Sequence, residues 1–146
     1  MTLSPLTIEE SASHGGATHV ANVTHADLTE ATANTAQVIA LATVADKVSV
    51  ACVKVVLKTA FEDASDAAFN SNTITVGDGN DADELLVSMQ VNANGTEVNQ
   101  KTGTTVTHDY AAADTVDLTV NSMTAKSLSD LDAGEADIYL RIADSR

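Results

Sequence analysis

Aromatic side chains are nearly missing: the 146 residues include two Phe, two Tyr and no Trp. Sites that hold sugars or single-stranded bases usually stack them on exposed rings, so both ligand classes are disfavoured. The core must instead come from Val, Ile, Leu and Ala, which suits two interdigitated sheets. Basic residues are also few. Seven Lys and Arg against 21 Asp and Glu leave a net charge of −14, a field that repels phosphate backbones and anionic lipid, so neither nucleic acid nor a membrane surface is expected as a partner. Cys52 is the single cysteine; no intrachain disulfide can form, and its apolar setting marks a small buried hydrophobe. No window approaches the roughly twenty uninterrupted apolar residues of a bilayer span. The segment from Met1 to Glu10 lacks the basic start and apolar stretch of a secretory signal, so export by that route is not expected.

Catalytic signatures are absent as well. The chain has no Gly-x-Ser-x-Gly elbow, no Walker-type loop and no His-x-x-x-His pair. His14, His19, His25 and His108 stand isolated, as ordinary surface or core histidines do.

What is present is a β-branched run, Val48 to Thr59, that is apolar at nearly every position. Strict alternation assigns Ala51, Val53, Val55 and Leu57 to a core and Val48, Val50, Cys52 and Val56 to the opposite face, which Lys54 and Lys58 share. An amphipathic second face of this kind wants a protein neighbour, so Val48, Val50, Cys52, Lys54 and Val56 are the expected oligomer interface. Short β-type runs recur around it: Thr18 to Thr24, Gln37 to Val44, Thr73 to Val76, Glu84 to Asn92, Thr104 to Tyr110, Thr115 to Val120 and Ala136 to Ile142. About eight strands punctuated by turn residues predict an all-β fold, an antiparallel, jelly-roll-like sandwich. Alternation puts Leu85, Val87, Met89 and Val91 on one side of their strand, Val116, Leu118 and Val120 on one side of theirs, and Ile138, Leu140 and Ile142 inward in the last. Asn94-Gly95 predicts a hairpin. The stretch Asp27 to Ala36 is too rich in Thr and Asn for a stable helix and reads as loop or a single turn.

Residues 1–17 read as an extended arm ahead of a sandwich domain at 18–146, with Ser11 to Gly16 as a flexible joint. Ser4 and Pro5 could cap and open one helical turn, and Leu3, Leu6 and Ile8 would form a small apolar anchor. The densest oxygen-ligand cluster runs from Val76 to Glu84, where Asp78, Asn80, Asp81 and Asp83 could converge on a hard cation such as calcium. It departs from an EF-hand loop at Ala82 and Asp83, and a solvated turn accounts for the same residues. Asn22-Val23-Thr24 and Asn94-Gly95-Thr96 match the glycosylation pattern but are more simply a strand and a turn.

Taken in order, Ala26-Asp27-Leu28-Thr29, Asn34-Thr35-Ala36-Gln37, Val48 to Phe61, Thr73 to Gly79, Ala112 to Val116 and Leu131 to Glu135 resemble structural proteins of tailed bacteriophages. In character the chain is similar to the small capsid decoration, or cement, proteins with a jelly-roll body, over roughly Ala26 to Asp144. The resemblance implies a non-enzymatic virion protein on the outer capsid surface. It would bridge major capsid subunits as a homo-oligomer, often a trimer, with Leu3, Leu6 and Ile8 anchoring the arm. It implies no cofactor and supplies no catalytic residues. Two alternatives stand beside it. One is a tail- or head-fibre-associated binding module that uses the Asp78 to Asp83 loop; the other is a metal-dependent hydrolase acting through Asp78, Asp81, Asp83 or Glu84.

Overall fold

A computed structural model describes residues 1–92 and 100–144. Ten strands occur among them: β1 (Thr2–Pro5), β2 (His19–Thr24), β3 (Gln37–Val44), β4 (Val48–Glu62), β5 (Thr73–Gly77), β6 (Leu86–Gln90), β7 (Gln100–Thr102), β8 (His108–Tyr110), β9 (Asp114–Asn121) and β10 (Ala133–Asp144). One sheet runs β1-β2-β10-β4, with β7 and β8 both pairing along β4; the other runs β3-β9-β5-β6. Every pairing is antiparallel, and the two sheets pack together as an all-β sandwich. The Asn94-Gly95 hairpin and the acceptor site at Asn94 lie outside the described residues.

Strand β9 follows simple alternation. Val116, Leu118 and Val120 are buried while Thr115, Asp117 and Thr119 point outward. Ile138 and Leu140 of β10 likewise enter the core, and Ile142 packs against its rim. The interior is aliphatic, with Leu41, Ile74, Leu85, Leu86, Met89 and Leu128 among its fully buried members.

Two strands break alternation, each at a bulge. In β4, Cys52 opposes Leu140 and Lys54 opposes Tyr139, so Val53 is one residue too many. An extra residue reverses which parity faces inward. Val48, Val50 and Cys52 therefore belong to the core before the bulge, and Val55 and Leu57 after it, whereas Val53, Lys54 and Val56 take the outer face, half-buried, and Ala51 is buried at 5% exposure outside the central core cluster. In β6, Ile74 pairs with Met89 and Val76 with Leu86, which places three steps on β6 against two on β5. Leu86 and Met89 are both fully buried as a result, while Val87, expected inside, is 48% exposed.

The first 17 residues are folded onto the sandwich instead of extending as an arm. β1 adds to β2 in register Thr2↔Asn22 through Pro5↔His19; Pro5 sits on the edge strand, where its missing N–H costs no ladder bond. A short helix, α1 (Ile8–Ser13), follows. Its cap is Thr7 and not Ser4: the Glu10 amide donates to Thr7 Oγ1 at 3.3 Å and the Thr7 amide donates to Glu10 Oε2 at 2.9 Å, the reciprocal pair of a Thr-x-x-Glu box. Gly15 and Gly16 end the helix with positive φ, which glycine tolerates without a Cβ clash. Thr18 then ties the chain to β10: its amide donates to the Leu140 carbonyl at 2.8 Å, and its hydroxyl accepts from the Ile142 amide at 2.9 Å.

Candidate functional site

The outer face of the β4–β10 region is the first place where the expected site and the structure part. Val48, Val50 and Cys52 lie in the interior and cannot meet a neighbouring subunit; the bulge at Val53 is the cause. Burial pushes the Cys52 thiol up to about 12, so it is no nucleophile at neutral pH. Lys54 and Val56 do face outward, half-buried. The chain itself covers part of this face. The His14 ring stacks on Tyr139 at 4.0 Å with planes 16° apart, and Lys54 Nζ lies 5.3 Å from the centre of the same ring. Gly15 sits over Val53 so closely that a Cβ would come 3.1 Å from a valine methyl. Farther along, Lys58 pairs with Glu135 at 2.8 Å and Asp137 at 3.3 Å. Among the proposed anchors, Leu3 packs against the core, Leu6 is half-buried, and Ile8 is 89% exposed.

The second departure is at the acidic loop. β5 ends at Gly77, and the loop curls back so tightly that a Cβ there would lie 1.9 Å from the Asp81 carbonyl oxygen, a position open only to glycine. The Asp78 amide donates to that carbonyl at 3.0 Å. Asp78 is buried, at 5% exposure, and its Oδ1 accepts the amides of Asn80 at 2.7 Å and Asp81 at 2.9 Å. Burial alone would raise this carboxyl, but the two amides and the His108 charge outweigh it and hold it below the ordinary aspartate value.

Asn80, Asp81 and Asp83 are exposed, and the carboxylates of Asp81 and Asp83 do not join Asp78 in the cluster of metal-ligating groups. Asn80 and Asp81 give Asp78 backbone N–H groups, and the Asn80 side chain adds a weaker hydrogen bond. Asp81 neighbours Asp83, whose carboxyl is raised by a hydrogen bond with Asp81, by burial and by the Asp81 charge.

The loop places Asp78 beside Glu84 and His108 instead. His108 Nδ1 is 2.6 Å from Glu84 Oε2, and Nε2 is 3.5 Å from Asp78 Oδ2. Glu84 is set by its own backbone, whose carbonyl accepts from Thr104 Oγ1 at 2.7 Å. His108 opens β8 and leans edge-on against Tyr110, ring centres 4.4 Å apart. The Tyr110 hydroxyl is pushed well above its usual range, first by burial and then by the charges of Asp78, Asp114, Glu84 and Asp117. Among the described residues, Asp78, Glu84 and His108 form the cluster whose donor atoms all lie within 4.8 Å of one another. Sequence reading passed over this combination because His108 is remote from the loop in the chain. The other three histidines are placed elsewhere: His14 on Tyr139, His19 with Nδ1 2.9 Å from Thr18 Oγ1, and His25 in a 3-10 turn.

No family model matches the chain, and neither a curated protein nor a solved structure matches it. The site therefore speaks only through its own residues.

Proposed function

We propose that this chain is a structural virion protein that decorates and stabilises an icosahedral phage capsid. It binds the outer capsid surface as a homo-oligomer, a trimer, bridges neighbouring major capsid subunits and performs no catalytic step. The resemblance along Ala26 to Asp144 motivates the reading, and the all-β sandwich agrees with the fold that resemblance implies.

One observation carries it to a particular surface. With the β4 face partly covered by His14 and Gly15, the outer face of the β3-β9-β5-β6 sheet becomes the docking surface. Across it run Val38 and Thr119, with Ala40 beside Asp117 in the next row and Val87 and Ser88 at the β6 edge. Val38 is 61% exposed. Of the outward strand positions just named, Asp117 alone is charged, in a chain of net charge −14. A flat surface of small uncharged side chains loses little solvation and little side-chain entropy when covered, and it is where an acidic protein can meet an ordered shell without charge repulsion.

The test is labelling of intact particles, with the protein tagged at its C-terminus and viewed by electron microscopy. Signal over the head shell supports the reading, and signal confined to tail or fibre favours the binding-module alternative. The paired change Val38→Asp and Val87→Asp leaves both side chains in solvent, so the fold should persist while attachment to capsids is lost. Undiminished attachment would move the docking surface elsewhere.

A further inference from the structure

We propose that Asp78, Glu84 and His108 bind a divalent transition-metal ion of the zinc type, which staples the two sheets together at one end of the sandwich. The inference is independent of the capsid reading.

Two features of the site point to a cation. The first is the donor set, one imidazole and two carboxylates within 4.8 Å of one another. The second is the position of Asp78, buried at 5% exposure: its Oδ1 accepts the amides of Asn80 and Asp81, and its Oδ2 faces Nε2 of His108 at 3.5 Å. An ion about 2.0–2.2 Å from each of two tetrahedral ligands holds them roughly 3.3 Å apart, so the gap is of the right width.

The ligands span the fold. Asp78 and Glu84 bound the loop between β5 and β6 of one sheet, and His108 begins β8 of the other. Glu84, half-buried with Oε2 2.6 Å from Nδ1, would have to turn an oxygen from Nδ1 to the ion, and water completes the tetrahedron. Mixed nitrogen and oxygen donors favour zinc, cobalt or nickel over calcium, which requires six to eight oxygens.

The experiment uses the full chain stripped with chelator, titrated calorimetrically with zinc chloride and, in parallel, calcium chloride. We expect one zinc per chain, no saturable calcium binding, and a thermal midpoint raised by about 5–10 °C at a hundredfold excess of zinc over its dissociation constant. His108→Ala should weaken zinc binding at least tenfold. Because that variant could also perturb the fold, imidazole NMR of the wild type provides a second reading: zinc should move the His108 resonances and leave those of His14, His19 and His25 in place. Absence of saturable zinc binding, equal binding by a folded His108→Ala, or shifts at the other histidines instead would each overturn the proposal.

Discussion

Replacing Val50 and Val56 separately with Ala tests the bulge at Val53, on which the division of β4 into inner and outer residues depends. Both are valines on the same strand, and uninterrupted alternation would place them on one face. In the structure Val50 is fully buried and Val56 is a half-buried outer residue. Each change removes two methyl-sized groups, and at about 0.8 kcal/mol per buried carbon the transfer loss at Val50 is roughly 1.6 kcal/mol. The cavity left in a close-packed core raises the total to about 2–3 kcal/mol. Val56 should lose only about 0.5–1 kcal/mol, as outer positions do. The strand preference lost on going from Val to Ala is common to both and largely cancels in the comparison. Urea unfolding followed by circular dichroism measures the difference directly, with unchanged m-values as the control for two-state behaviour. In thermal melts the Val50 variant should fall by roughly 4–12 °C and the Val56 variant by no more than about 4 °C. Equal losses, or a larger one at Val56, would refute the register.

Other consequences follow from the same coordinates. His14→Ala removes the ring stacked on Tyr139, an interaction of about 0.5–1.5 kcal/mol, and should make the segment around α1 susceptible to limited proteolysis while β10 stays protected; unchanged cleavage would show that the stack does not hold α1 down. Asp78 is held below its unfolded value, so its contribution to stability is present above about pH 4 and disappears as pH falls through the folded value. Asp78→Asn should therefore flatten the acid side of the stability profile below about pH 4, and an identical slope in the variant would remove Asp78 from the acid transition. Native Cys52, buried and pushed up to about 12, should resist iodoacetamide at pH 7 and react promptly once urea unfolds the chain; fast labelling of the native protein would mean that β4 opens locally.

The residue pattern alone determined the fold class. Closely spaced runs of Val, Ile and Thr, interrupted by Gly, Asn and Asp, cannot bury a helical stripe but can line a pleated sheet, and Gln37–Val44 was legible to the residue. The inward positions of β9 and β10 were legible for the same reason, since nothing interrupts their period of two at Val116 to Val120 or Ile138 to Leu140. Thr7 and Glu10 also carried a local signal, the spacing of a capping box, which the proline at position 5 obscured. Tertiary structure decided the rest. A bulge is an accommodation between paired strands, so whether Val50 or Val53 faces inward depends on Leu140 and Tyr139 opposite them. The first 17 residues are short and polar enough to pass for a loose arm, and only the partners waiting on β2 and Tyr139 give them a place. The acidic loop looked like a set of ligands from Asp78 to Asp83 because neighbours in sequence were assumed to be neighbours in space. The loop instead turns its amides inward toward Asp78, and pairing β8 with β4 delivers His108 from far along the chain, a juxtaposition that strand pairing creates and no local pattern encodes.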